Sequence, residues 1–296
     1  MGTTTVSAVV AVNRRPGKLW AFLQFPLTRF LLAVLFVTVP VTLLQLIGKA
    51  AGIVSRSPAG AVLSVVLLLT IFGGYACYVH CIERRKVSEL DRRGAVREFV
   101  PGLLLGAALF GATMLILSLC GVWTYTGLNE ISAWVYPLFT ALLVAAVEET
   151  LVRGVLFRML EEGLGTWIAL GISALLFGAM HAFNPGASAT GVIAIALEAG
   201  ILLGAAYALT RHLWFVFGLH AAWNFTEGGL FAAQVSGHEA EGLVNVQFEG
   251  SDLLTGGAFG PEASIVAVVV CLIASVGLMI LAQRKGHIVA PFWKRH

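Results

Sequence analysis

The sequence predicts an all-α fold: a polytopic membrane helix bundle of about eight transmembrane helices, with both termini cytoplasmic. Three observations predict it. The 296 residues are 58% hydrophobic and 12% charged, whereas a soluble domain holds roughly 45–50% apolar and about 25% charged residues. The mean hydropathy is +0.88, so the excess apolar surface must face lipid. The basic residues also gather on alternate connections, the pattern that orients membrane helices. The same figures exclude disorder, a collagen-like repeat and a disulfide-stapled secreted domain. A net charge of +3, with no basic cluster interleaved with aromatics, excludes nucleic acid as a partner.

Residues 1–29 are polar, carry Arg14, Arg15 and Lys18, and read as a cytoplasmic segment with no removable signal peptide. Runs of about 20 apolar residues, the length a spanning helix needs, then follow. They cover 30–48, 59–82, 100–123, 132–157, 166–183, 190–210, 213–233 and 263–283. With the N-terminus inside, the inner segments hold seventeen of the nineteen basic residues, Arg153 and Arg158 among them; only Lys49 and Arg56 fall outside. Gly102/Gly106 and Gly200/Gly204 have the spacing that lets helix backbones approach closely in lipid. The mixed-charge stretch 83–99 reads as a solvated inner connector. The outer segment 234–262 is glycine-rich and acidic, and no role follows from its sequence.

Charged groups inside spanning helices are expensive and point to function. Glu148 and Glu149 stand in AAVEETLVRG, His181 in LLFGAMHAF, Glu198 in AIALEAGILLG, and His220 and Asn224 in HAAWN. Glu149 and Arg153 are four apart with the acid first, so they share a helix face and neutralise each other. Glu148 is the carboxylate left over, the type of group that acts as a general base when burial tunes it. Glu148 and His181 lie equally far from the expected hairpin turn between Gly163 and Gly165. His220 falls at a similar depth on a third helix. Glu198 could join this network or pair with an inner-loop base.

EETLVR (148–153), FGAMH (177–181) and HAAWN (220–224), in this order, resemble the EExxxR, FxxxH and HxxxN motifs of the CPBP family of intramembrane proteases. This is the Abi or CAAX-protease and bacteriocin-processing family, which includes the Rce1 enzymes. The resemblance covers roughly residues 135–230 and implies an endopeptidase that cleaves within or at the edge of the membrane. It implies that Glu148 and His181 activate water, that His220 and Asn224 stabilise the oxyanion, and that Glu149, Arg153 and Phe177 support them. The domain reading becomes a segment 1–29, helices 30–134 with a basic inner loop, a catalytic core 135–230, an outer loop 231–262, and a last helix with a basic cytoplasmic tail, 263–296.

The residues allow this chemistry without the resemblance. Amide hydrolysis needs a deprotonated water and donors aimed at the oxyanion. A reading without a cofactor is preferred, although Glu148, His181 and His220 could instead hold Zn²⁺ or another divalent ion. The expected partners are a membrane-associated protein or peptide substrate and the lipid bilayer; a CAAX-type substrate rests on the resemblance alone. The expected location is a bacterial plasma membrane, crossed several times. The alternatives are a non-hydrolytic immunity-like or accessory subunit and a proton-coupled transporter, since buried Glu and His also build proton relays.

Overall fold

The computed structural model describes residues 17–295; Arg14, Arg15 and most of the expected N-terminal segment lie outside them. The chain is a multi-pass membrane bundle. Its helices are α1 (Lys18–Leu23), α2 (Pro26–Ala50), α3 (Pro58–Tyr78), α4 (Ala95–Leu119), α5 (Val135–Leu151), α6 (Arg158–Leu164), α7 (Thr166–Met180), α8 (Ala189–Ile195), α9 (Ile201–Thr210), α10 (Leu213–Asn224), α11 (Asp252–Thr255) and α12 (Ile265–Arg284). Wide π turns extend or join several of them at Val79–Glu83, Val152–Phe157, Ala196–Gly200 and Phe225–Leu230. Such turns break the regular ladder and are common at functional sites. Helix starts follow local chemistry. Ser57, Ser188 and Ser264 each accept a hydrogen bond from the backbone N–H three residues on, capping α3, α8 and α12.

Seven helical segments among the described residues are long and apolar enough to cross a membrane: Pro26–Ala50, Pro58–Glu83, Ser88–Leu119, Ile131–Leu164, Thr166–Phe183, Ala189–Thr210 and Ile265–Arg284. The predicted eighth, 213–233, is helical from Leu213 to Leu230 but does not join that set. Its polar residues explain why. It fills the middle of the bundle, and every side chain from Phe215 to Trp223 is buried. It packs on α4 through two glycines. A Cβ on Gly102 would meet the Phe215 carbonyl oxygen at 2.2 Å, and one on Gly106 the Leu219 carbonyl oxygen at 2.2 Å. Gly200 and Gly204 serve the same close packing against α7 at Ala174 and Leu170. Leucines such as Leu69, Leu104 and Leu119 remain exposed on the outer helices, where lipid would cover them.

One end of the bundle is tied by ion pairs. Glu83 bonds Arg29 at 2.5 Å, Arg85 at 2.7 Å and Arg158, while Arg85 also reaches Glu89 at 2.9 Å and Arg211 pairs with Glu161. The connector 83–99 is therefore not simply solvated: the side chains of Glu83 and Glu89 are buried, because Arg29 of α2, Arg158 of α6 and Arg85 of the connector itself converge on them. The α6–α7 hairpin turns at Gly165, with φ of 78°, beside the expected position. The chain after α12 folds back over this turn, where Thr166 and Val289 exchange two hydrogen bonds of 3.0 and 2.8 Å.

The opposite end departs from an all-α structure. Strands β1 (Trp123–Leu128) and β2 (Val244–Phe248) pair antiparallel, with Trp123 opposite Phe248 and a bulge between Tyr125 and Gly127. WTYTGL and VNVQF alternate as strands do, but they lie at a helix end and in a glycine-rich loop, where helix-length runs dominate the signal. At this end Arg56 bonds Glu241 at 2.5 Å and thereby holds its carboxyl below the usual range.

Candidate functional site

The site is assembled from three helices. At Val152 the regular turns of α5 give way to a π turn, which carries Arg153 into the protein interior. Arg153 is 0% exposed and Glu149 is 1% exposed. Arg153 is thus a core residue and not an inner-surface arginine. A buried guanidinium must be both neutralised and hydrogen-bonded. Its Nη1 donates to Glu149 Oε1 at 2.8 Å, and its Nη2 points at the carbonyl oxygens of Ala199 and Gly200, each at 3.3 Å. Those carbonyls belong to the π turn between α8 and α9. The guanidinium also lies over the Phe177 ring, 4.4 Å from its centroid. Phe177 is therefore the floor on which Arg153 rests, and it packs against the rings of both His181 and His220.

Glu149 has a second partner that sequence spacing did not show. His220 Nδ1 lies 2.7 Å from Glu149 Oε1. A carboxylate accepts, so Nδ1 carries the hydrogen and Nε2 is the free nitrogen. That nitrogen faces Glu148 Oε2 at 4.0 Å, too far for a direct hydrogen bond and suited to a bridging water. Glu148 Oε2 is buried and has no hydrogen-bond partner. His181 stands at the end of α7, and its Nδ1 donates to the Phe177 carbonyl oxygen at 2.8 Å. A carbonyl only accepts, so the Nε2 of His181 is also left free to accept.

Glu148, His181, His220 and Asn224 line one cavity of about 510 Å³. A smaller chamber of about 20 Å³ lies behind it, bordered by His181, His220, Asn224, Glu198, Ser236 and Glu262. That is room for roughly one water. Glu198 therefore joins the site's surroundings and has no inner-loop base as partner; it is 1% exposed and its Oε1 is unpartnered. Among the described residues, no three His, Cys, Asp or Glu side chains come close enough together to hold a metal ion.

Three contributors were missed from sequence. The outer loop brings Ser236 to both chambers, and its N–H and hydroxyl each donate to Glu262 Oε1 at 2.7 Å. Glu227 accepts from the Glu262 N–H at 3.3 Å. Glu227 carried a readable signal, an ionisable residue inside the run 213–233. Ser236 and Glu262 carried none, because a long loop between helices does not announce where it folds.

Residues 130–226 match the family model of the type II CAAX prenyl endopeptidases, described as Rce1-like. Over this segment the chain is similar to the Rce1-like family. The match spans the helices that carry Glu148, Glu149, Arg153, Phe177, His181, His220 and Asn224, and it ends just before Glu227. The matched segment is about a third of the chain; α2 to α4, the outer loop and α12 lie beyond it. Among curated proteins and solved structures, none matches the chain.

Proposed function

We propose that the chain is an intramembrane endopeptidase that hydrolyses a peptide bond with a water activated by Glu148. The observation that carries this reading is the unpartnered Glu148 carboxylate, facing His220 Nε2 at 4.0 Å on the wall of a cavity shared with His181 and Asn224. Glu148 takes a proton from water, which is oriented by the free Nε2 of His181. The resulting hydroxide adds to the peptide carbonyl carbon. The oxyanion accepts from Asn224 and from His220 Nε2, which donates when the ring is protonated. Collapse breaks the C–N bond, and the proton held by Glu148 passes to the leaving amine.

No cofactor is needed in this scheme. A zinc-dependent alternative would use Glu148, His181 and His220 as ligands. The substrate is a membrane-associated protein or peptide, and both chain ends lie in the cytoplasm of a bacterial cell. Comparison of membrane proteomes from cells with the wild-type chain and with Glu148→Gln provides the test. New C-termini should appear only with the wild type. Identical proteomes would reject the proteolytic reading, and chelation that abolishes cleavage, reversed by added Zn²⁺, would reject the metal-free one.

A further inference from the structure

The two ends of the bundle differ in charge, and the cavity opens at only one of them. The closed end carries Arg29, Arg85, Arg158 and Arg211, locked into carboxylates from neighbouring helices. Lysine and arginine of this density stay on the cytoplasmic side during insertion. The cavity mouth is built at the other end. Tyr136 and Pro137 come from the first turn of α5, Asn184 follows α7, and Ser236, His238 and Glu239 belong to the outer loop.

We infer that this site receives its substrate from the non-cytoplasmic face, as the juxtamembrane flank of a membrane-anchored polypeptide. The inference rests on the endopeptidase reading and adds to it the side from which the peptide arrives. The cavity walls fit such an occupant. Along α5, Pro137, Ala141 and Val144 present an apolar strip next to the lipid-facing side of the helix, while Asn184, Ser236 and Glu239 form a polar rim. A segment that leaves the bilayer has the same division, apolar on one part and hydrated on the next. The rim's Arg56 is tied to Glu241, and Glu239 has no cationic partner among the described residues. The mouth is therefore acidic and suits a flank carrying lysine or arginine. A lipidated tail presented from the cytoplasm would meet the closed, ion-paired end.

Two measurements on the full-length chain decide this. In a background with Cys77, Cys81, Cys120 and Cys271 replaced by alanine, single substitutions Thr140→Cys in the cavity, Glu239→Cys on the rim and Lys285→Cys beyond α12 are treated with a membrane-impermeant maleimide. In intact cells the first two should label and the third should not; in inside-out vesicles the pattern should reverse. The opposite pattern overturns the inference. A quenched fluorescent peptide, its apolar stretch flanked by lysines and anchored by one transmembrane helix, is then reconstituted with the flank on either face. Cleavage that requires Glu148 and occurs only with the flank at the mouth side supports the assignment. Cleavage confined to the other face overturns it and leaves the endopeptidase reading standing. Cleavage from neither face counts against the endopeptidase reading and the substrate assignment together, while the labelling still fixes where the cavity opens.

Discussion

Glu149 holds two partners with one oxygen: Arg153 at 2.8 Å and His220 at 2.7 Å. Replacing Arg153 with alanine leaves a buried carboxylate with the histidine alone and frees the carbonyls of Ala199 and Gly200. Breaking a buried pair in this way costs about 3–5 kcal/mol, so thermal unfolding in detergent should shift down by many degrees. The double change Glu149→Gln with Arg153→Gln should recover part of the loss. Equal stability of the single and double variants would mean that the pair contributes nothing. For the chemistry, Glu148→Gln should lower turnover by about 10² or more, and His220→Ala or Asn224→Ala by about 10²–10³ each, with folding preserved. The spacing of Glu149 and Arg153 made their pairing readable. The bond from Glu149 to His220 was not, because it joins residues 71 apart whose facing depends on how α5 and α10 pack.

At the level of elements, the distance between α4 and α10 sets where His220 sits. Gly106→Ala would place a methyl group 2.2 Å from the Leu219 carbonyl oxygen, next to His220 in sequence. Backbone must shift to admit it, so this variant should lose both thermal stability and proteolytic rate. Gly111→Ala on the same helix meets nothing within 4 Å and should raise stability slightly or leave it unchanged, since alanine is the better helix former. A Gly106→Ala protein with wild-type melting and rate would refute the close-contact account. The glycine pair was visible as a pattern, but its partner helix was not. The strands β1 and β2 escaped notice because each is short and gains its meaning only when paired with the other.

Across the whole molecule, buried and exposed charges should behave differently. Glu83 gathers Arg29, Arg85 and Arg158 from separate segments, and Glu83→Gln should lower the melting temperature clearly, with little dependence on salt. Arg56 and Glu241 are largely exposed, and Glu241→Gln should leave melting unchanged because such pairs contribute little. Melting curves at low and high salt check both. Composition and run length were enough to reveal the bundle, since lipid imposes them on every spanning helix. The roofing of the cavity by the outer loop was not legible, since it depends on contacts such as Ser236 with Glu262 that leave no periodic trace.

The helix Leu213–Leu230 also bears on how the protein is made. It delivers His220 and Asn224, yet it is not one of the segments apolar enough to enter a bilayer by composition. On leaving the ribosome it would prefer water or the membrane surface to lipid. Its place in the centre must then be secured by α4, α5 and α9, already inserted, and by the outer loop that follows it, whose Glu262 N–H bonds Glu227. Membrane integration of this helix and formation of the site are consequently one event. A chain cut after residue 232 with a topology reporter fused there should place that reporter on both sides of the membrane in a mixed population, whereas the uncut chain with the reporter inserted at the same point should place it on one side only.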